Sequence, residues 1–268
     1  MSIGHLFRAS PKFVIREEDA AGKPLAGPSK EEDKARTQEL ARRIAELQDI
    51  FYAERQRKLL IVLQGMDTSG KDGTIRAVFG QTDPLGMRAV AFKAPSLEEA
   101  AHDFLWRVHR QVPAKGEIAI FNRSHFEDVL VPRVHGWIDK AECHRRLAHI
   151  RDFERMLAET GTVILKFFLH ISRDEQRRRL QARLDEPKKH WKFDPTDLEE
   201  RKHWDAYREA YAETIVATDA DHAPWYVIPS DSKTQRNLAA ASIVLETLEG
   251  LQLAFPAGAP GLAGIRVE

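Results

Sequence analysis

One short run of the chain combines two glycines, a lysine and a carboxylate at spacings suited to phosphate chemistry. The run Gly65-Met-Asp-Thr-Ser-Gly70-Lys71 has the G-x-x-x-x-G-K spacing of a Walker A loop. Glycines at these positions let backbone N–H groups approach an anion, and a following helix presents its positive end to the same place. The predicted phosphate-binding residues of the run are Gly65, Ser69, Gly70, Lys71, Asp72, Gly73 and Thr74. The alternative is a glycine-rich turn without a ligand.

Two carboxylates set this run apart from the usual loop. Asp72 follows the lysine at the position where a Walker A loop carries Ser or Thr, and Asp67 lies inside the loop. A bare carboxylate repels phosphate, so Asp67 requires a reason to be there. The simplest reason is a Mg²⁺ ion that bridges Asp67 to phosphate oxygens. The alternative is a structural carboxylate that accepts hydrogen bonds from the loop.

A second polar segment follows a later apolar run, at the place where many phosphate-loop proteins carry a magnesium-binding aspartate. Its first residue is Asn122 instead of Asp, and Glu127 and Asp128 follow about one helical turn later. These two residues can supply the missing carboxylate. Arg123 and Arg133 are suited to bidentate phosphate contacts, and for each the alternative is a structural salt bridge.

His125 lies within the same segment. It is either a hydrogen-bond donor to phosphate or a histidine held by another side chain. The aromatic residues Trp204, Tyr207 and Tyr211 recur at helical spacing, which favours a core face over a base-stacking surface.

A basic stretch spans residues 173–192, with eight Lys or Arg against four acidic residues. Arg179 and Arg183 are four residues apart and would share one helix face. Together with Lys188 and Lys189 they predict a cationic lid, at about residues 177–195, that binds a phosphate chain. The alternative is a solvated charged helix.

The elements that position these residues alternate between apolar strands and amphipathic helices. The alternation predicts parallel strands joined by right-handed crossovers. We expect an α/β fold of the P-loop nucleotide-kinase type, with about five parallel strands between two helical layers and a helical basic lid. Residues 1–29 are predicted to be an irregular arm, 30–253 the P-loop domain, and 254–268 a Pro/Gly-rich tail.

Composition excludes several classes of protein. The 268 residues carry no formal net charge, so no global field attracts nucleic acid or a membrane surface. The single cysteine, Cys143, excludes an internal disulfide and is typical of a reducing compartment. With neither a signal-peptide pattern nor a long apolar run, we expect a cytoplasmic protein without nucleic-acid or membrane partners.

Together, these segments resemble the second polyphosphate kinase family, the polyphosphate:nucleotide phosphotransferases. The matching segments are 65–73 (GMDTSGKDG), 92–95 (FKAP), 101–107 (AHDFLWR), 121–131 (FNRSHFEDVLV), 191–193 (WKF) and 222–229 (HAPWYVIP). The resemblance runs from about residue 30 to residue 253. It implies inorganic polyphosphate as donor, Mg²⁺ as cofactor and a homodimer or homotetramer.

The resemblance also assigns roles to individual residues. Asp67 and Lys71 match the essential loop residues of the family, and Asn122 replaces its strand-end aspartate. The implied catalytic residues are then Asp67, Lys71, Arg123 and Asp128, of which Asp67 and Asp128 are metal ligands. The implied contacts of the acceptor nucleotide are Lys93, Arg123, Glu127 and Arg133.

Glu127 implies a nucleoside monophosphate as acceptor, because members with Glu at this position use monophosphates. AMP is therefore predicted, with ADP as a second acceptor. Two other functions stay open at this point: an ATP-dependent small-molecule kinase on the same fold, and a regulator that binds polyphosphate or nucleotide without turnover.

Overall fold

The computed structural model describes residues 2–258, Pro260 and Arg266, and five strands form one parallel sheet within it. The strands are β1 (Lys58–Gln64), β2 (Met87–Ala91), β3 (Ile118–Asn122), β4 (Thr162–His170) and β5 (Trp225–Pro229). They lie in the order β2-β3-β1-β4-β5. The central strand β1 pairs Val62 with Phe121 of β3 and with Lys166 of β4. The loops after β1 and β3 therefore leave the sheet at the same edge.

Helices connect the strands and cover both faces of the sheet. They are α1 (Ile3–Phe7), α2 (Lys30–Glu54), α3 (Lys71–Phe79), α4 (Leu97–Ala100), α5 (Trp106–His109), α6 (Glu127–Val134), α7 (Lys140–Glu159), α8 (Arg173–Asp185), α9 (Thr196–Lys202), α10 (Trp204–Thr218) and α11 (Lys233–Gly250). Short 3₁₀ turns occur at Glu17–Ala21, Pro84–Gly86 and Pro187–Lys192. The predicted α/β fold, with a five-stranded parallel sheet between two helical layers, is confirmed.

The two cores follow from the alternation of side chains along the strands. On β1, Leu59 and Ile61 face a core shared with α2, α3 and α11. Leu60 and Val62 face the opposite core, shared with α6, α7 and α10. Because both faces of β1 are buried, its sequence is a continuous apolar run. Each of these side chains contributes about 2 kcal/mol through burial, which stabilises the strand that carries the phosphate loop.

Two predicted helices are shorter than the sequence pattern indicated. The capping box at Ser96 and Glu99 is present, but α4 ends at Ala100 and α5 begins only at Trp106. Between them the Asp103 carboxylate accepts the Leu105 N–H at 3.0 Å, a local bond that competes with the helix.

The long helix predicted from residue 195 to residue 218 is also divided. It forms α9 and α10, with the break at His203. There the N–H of His203 donates to the Glu200 carbonyl at 3.0 Å, and this tighter i→i−3 bond ends the regular ladder.

The N-terminal segment, for which we expected an irregular arm, contains α1 and packs along β5 and α11. The Ala9 N–H donates to the Trp225 carbonyl at 2.9 Å, and Arg8 forms an ion pair with Asp219 at 3.0 Å. The tail prediction lies largely outside the described residues. Within residues 2–258, the helices lack the combination of length and apolar character that crossing a bilayer requires.

Candidate active site

The phosphate loop, residues 65–70, joins the end of β1 to the start of α3. Gly65 and Gly70 have φ angles of 147° and 107°. A Cβ atom at Gly65 would lie 2.6 Å from the Leu169 carbonyl oxygen, and one at Gly70 would lie 1.8 Å from a guanidinium nitrogen of Arg236. Both positions therefore require glycine, for backbone conformation and for space.

Lys71 folds back over this loop. Its Nζ donates to the Gly65 carbonyl at 2.7 Å and approaches the Met66 carbonyl at 3.4 Å, and only 9% of the residue is exposed. Burial, followed by repulsion from Arg123, lowers the pKa of Lys71 to about 8. Within residues 2–258, no carboxylate oxygen lies within 4.0 Å of this amine to stabilise its charge. A bound phosphate would provide that stabilisation.

The hydroxyls of the run and the carboxylate of Asp72 differ in their hydrogen bonds. The Ser69 and Thr74 hydroxyls are buried and make no hydrogen bond to any described residue. Asp72 accepts a bond from Asn122 Nδ2 at 2.7 Å, which links α3 to the end of β3. Buried hydroxyls without partners are costly, and a ligand in the loop is the simplest source of the missing bonds.

Arg123 connects the loop carboxylate to the second polar segment. Its guanidinium lies 2.5 Å from Asp67 Oδ1 and 4.0 Å from Glu127 Oε2. Burial opposes the charge of Arg123, but Glu127 and Asp67 outweigh that effect and raise its pKa. For Glu127 the effect of burial has the opposite sign: it raises the pKa of the carboxyl group, against the opposing effects of Arg123 and Lys71. The structure thus brings two predicted carboxylates, Asp67 and Glu127, to the guanidinium of a third predicted site residue, Arg123.

Asp128 has a different partner. Its carboxylate accepts a bond from Arg107 at 2.8 Å, and Arg107 also donates to the Lys93 carbonyl at 2.7 Å. Burial raises the pKa of Asp128, and the bond from Arg107 opposes this. Arg107 therefore fixes both Asp128 and the segment that carries Lys93.

A cavity of about 560 Å³ opens beside the phosphate loop, and we call it the strand-end cavity. Its walls include Asp67, Lys93, Arg123, Glu127 and Asp128. Its described lining carries six carboxylates and five cationic side chains. Two phosphate-bearing ligands would meet net repulsion there unless further positive charge accompanied them.

Aromatic side chains form an apolar part of the cavity wall. Trp204 and Tyr211 are buried in the core, as the helical spacing predicted, and together with Tyr207 they also line the strand-end cavity. Trp137, an exposed residue after α6, lines the same cavity. The cavity thus combines an apolar wall with a polar floor, the usual composition of a small-molecule site.

The predicted basic lid is arranged differently from the expectation. Arg179 is nearly buried and donates to the Thr68 carbonyl at 2.9 Å and to the Ser230 carbonyl at 2.6 Å. Arg183 donates to the Lys192 carbonyl at 2.9 Å and to Asp197 at 3.0 Å. In this structure the guanidinium groups of both arginines hold protein oxygens, and neither lines the strand-end cavity.

Three further predicted residues also lie away from this cavity. Lys188 is exposed, and Lys189 pairs with Glu186 on the 3₁₀ turn. Arg133 pairs with Glu213 of α10, the salt bridge that stood as its alternative role.

His125 is wholly buried, and its Nε2 lies 3.4 Å from Glu154 Oε1. Glu154 in turn accepts a bond from Lys166 Nζ at 2.5 Å. Of the two roles considered for His125, the structure matches the histidine held by another side chain, because buried His125 does not reach the cavity.

Two arginines of the site were not singled out in the sequence. Arg107 lies within the matching segment 101–107, which was its only signal, whereas Arg236 has no motif around it. Within the described residues, no group of three or more His, Cys, Asp or Glu side chains is arranged to hold a metal ion.

Comparison with protein families gives a match over most of the chain. The model of the family described as polyphosphate kinase 2 matches residues 27–255. A protein of Meiothermus ruber named AMP/ADP-polyphosphate phosphotransferase is 56% identical over 217 residues, which are 81% of each chain. An ADP-polyphosphate phosphotransferase of Rhodopseudomonas palustris is 43% identical and covers 81% of this chain and 80% of its own.

Solved structures agree with these matches. A crystal structure of polyphosphate kinase 2 from Arthrobacter aurescens superposes with a TM-score of 0.93 at 45% identity, covering 96% of this chain and 93% of that one. This agreement extends the likeness to the three-dimensional arrangement of nearly the whole chain.

Proposed function

The chain belongs to the polyphosphate kinase 2 family, and from this we propose that it transfers the terminal phosphate of inorganic polyphosphate to a nucleotide, with AMP and ADP as acceptors. It is an enzyme of the transferase class. One observation carries the proposal beyond the family: Asp67 and Gly65, whose carbonyl accepts a bond from Lys71 Nζ, both line a cavity of about 560 Å³. That volume lies within the range typical of nucleotide-sized ligands, about 300–1,000 Å³.

AMP is the expected first acceptor. The relative from Meiothermus ruber, whose name includes both AMP and ADP, shares more than half of its residues with this chain over the matched region. Glu127 lines the cavity together with Arg123 and Tyr207, and burial raises its pKa against the opposing effect of Arg123. A diphosphate would place more negative charge beside this carboxylate than a monophosphate does.

The donor set fits Mg²⁺ carried by the substrates. Asp67 has one oxygen paired with Arg123, and Asp128 has one oxygen paired with Arg107, so each retains a second oxygen. Mg²⁺ commonly takes only one or two protein carboxylates and completes its shell with phosphates and water. Asp67 and Asp128 would hold it, and it would supply the positive charge that the carboxylate-rich cavity lacks.

The residues of the chain then have separate tasks in the transfer. An oxygen of the acceptor phosphate attacks the terminal phosphorus of the chain while the bond to the next bridging oxygen breaks, and the shortened chain leaves as an anion. Lys71 and the loop N–H groups stabilise the charge on the transferred phosphate. Arg123 lies between Asp67 and Glu127, where donor and acceptor phosphates meet.

This reaction needs no general base. The second ionisation of a phosphate monoester has a pKa of about 6, so the attacking oxygen of AMP is largely deprotonated at neutral pH. The burial of His125 is therefore compatible with turnover.

An assay of the two donors tests the proposal. Purified protein is incubated with Mg²⁺ and AMP or ADP in separate tubes, with polyphosphate in one series and ATP in another, and the products are resolved by ion exchange. We expect ADP from AMP and ATP from ADP in the polyphosphate series. Product formation only with ATP would contradict the proposal and support the small-molecule kinase.

A further inference from the structure

Arg236 lies behind the phosphate loop, on the first turn of α11. It is 3% exposed, and its Nη1 donates to the Ser69 carbonyl at 3.1 Å. Its Nε and Nη2 donate to Asn237 Oδ1 at 3.1 and 2.9 Å. All three nitrogens of the guanidinium are thus held in place.

Two glycines, Gly70 and Gly73, leave room for this guanidinium beside the loop. A Cβ at Gly70 would lie 1.8 Å from Arg236 Nη1, and a Cβ at Gly73 would lie 3.0 Å from its Nη2. The glycines therefore allow the guanidinium to lie directly against the loop backbone. Arg236 therefore packs against the backbone on either side of Lys71, in the segment predicted to bind phosphate.

Among the described residues, the charge of Arg236 has no counter-ion. Across residues 2–258, no carboxylate oxygen lies within 4.0 Å of its guanidinium. Burial, and then the nearby Arg179, lower its pKa to about 9. Lys233 belongs to the same cationic group, since burial, then Arg179, Lys189 and Arg236 lower its pKa. An unpaired buried charge is costly, so this arrangement calls for an anion.

Arg179 provides a comparison within the same site. It also holds the loop, through the Thr68 carbonyl at 2.9 Å and the Ser69 carbonyl at 3.2 Å. However, Arg179 has a counter-ion, because Glu175 lies 2.8 Å from its Nε and also pairs with Arg178. The two arginines therefore share the task of fixing the loop, and only Arg236 adds uncompensated positive charge.

We propose that Arg236 is a positioning residue for the donor: it fixes the phosphate loop through Ser69, and the donor phosphate bound on the other side of the loop is its counter-ion. This inference rests on the proposed function, because it takes the anion to be the terminal part of a polyphosphate chain. It predicts that the charge of Arg236 controls donor affinity and leaves acceptor affinity unchanged.

Two substitutions separate the charge from the hydrogen bond. Arg236→Gln removes the charge and keeps an N–H donor for Ser69, whereas Arg236→Lys keeps the charge. A matched control is Arg88→Gln, because Arg88 likewise donates to backbone carbonyls, those of Gln111 and Val112 at 2.7 and 2.9 Å, but has a counter-ion, Glu117. Arg88 lies on β2 near its N-terminal end, at the edge of the sheet opposite the phosphate loop.

The measurement is the affinity for tripolyphosphate without nucleotide, by calorimetry, together with the KM for polyphosphate and for AMP. We expect Arg236→Gln to weaken tripolyphosphate binding on the order of 10- to 100-fold, because it removes one buried positive charge that acts on the bound anion across the loop. The KM for polyphosphate should rise in parallel while the KM for AMP stays constant. Arg236→Lys should recover most of the loss, and Arg88→Gln should lower the melting temperature without changing tripolyphosphate affinity.

The contrary results are distinguishable. Wild-type affinity for tripolyphosphate in Arg236→Gln overturns the inference, as does an equal rise of both KM values, which is the result of a purely structural role. If the wild-type protein itself binds no tripolyphosphate, the proposed function fails as well. If Arg236→Gln does not fold, Arg236→Lys provides the test, because it keeps the positive charge. A loss of tripolyphosphate affinity in Arg236→Lys as large as that in Lys71→Met would contradict a role for the charge.

Discussion

Raising the pH across the range in which Lys71 loses its proton should weaken donor binding in a defined way. Burial, and then Arg123, lower the pKa of this amine from the ordinary 10.5 to about 8. At about 1.4 kcal/mol per pH unit, this corresponds to roughly 3 kcal/mol of unfavourable free energy for the charged amine in the absence of phosphate. A phosphate bound beside Lys71 supplies the missing negative charge and raises the pKa toward its ordinary value.

The sign of the pH effect follows from this difference. Below about pH 8 the amine is charged in both free and bound protein, so donor affinity is constant. Above it, binding requires uptake of a proton, so donor affinity falls by up to about tenfold per pH unit and by at most roughly 300-fold at pH 10.5. Without phosphate, the unfolded chain binds more protons between about pH 8 and 10.5, so this lysine makes the free energy of unfolding rise with pH in that window.

The assay measures KM for polyphosphate and for AMP between about pH 7 and 10 in the wild-type protein and in Lys71→Met. We expect the KM for polyphosphate to rise above pH 8 in the wild type only. Lys71→Met should show a kcat reduced by about 10²- to 10³-fold, the usual cost of one oriented donor. A wild-type KM for polyphosphate that is flat over this range, or the same slope in Lys71→Met, would refute the reasoning.

Three further substitutions test other parts of the site. Asp67→Asn should lower kcat by about 10²- to 10³-fold and raise the Mg²⁺ concentration needed for half-maximal rate; an unchanged metal titration would argue against Asp67 as a ligand. Glu127→Asn should depress turnover of AMP more than that of ADP in parallel assays, and equal losses would remove Glu127 from acceptor choice. Lys166→Met leaves the carboxylate of Glu154 buried without its partner at 2.5 Å, and should cost about 3–5 kcal/mol in urea unfolding. The double substitution with Glu154→Leu should restore most of that stability, and its failure to do so would contradict the pairing.

Local patterns predicted the parts of the site that depend on neighbours in sequence. The phosphate loop needs glycine at fixed intervals, so Gly65, Gly70 and Lys71 were recognisable from spacing alone. Topology predicted the second segment, since parallel strands place Arg123 and Glu127 beside the loop at one edge of the sheet.

The hydrogen-bond and ion-pair partners of Arg133, Arg179 and Arg236 could not be predicted from local patterns. Arg179 and Arg236 bond to backbone carbonyls, which carry no signal in the sequence. Arg133 meets Glu213, and this contact depends on how α10 packs against α6 and α7. The division of the helix at His203 likewise depends on a single tightened turn. Charge patterning showed that a cationic region exists near the loop, but the carbonyls and carboxylates that hold each cation are set by tertiary packing.

The most direct test of the central claim is a phosphate balance measured by ³¹P NMR during one reaction of polyphosphate with AMP and Mg²⁺, without ATP. If the loop and the strand-end cavity transfer phosphate directly between the two substrates, each phosphate lost from the chain should appear as the β-phosphate of ADP or, after a second transfer, as the γ-phosphate of ATP, without accumulation of orthophosphate. Loss of polyphosphate as free orthophosphate with AMP unchanged, or no loss of polyphosphate until ATP is added, would contradict the account.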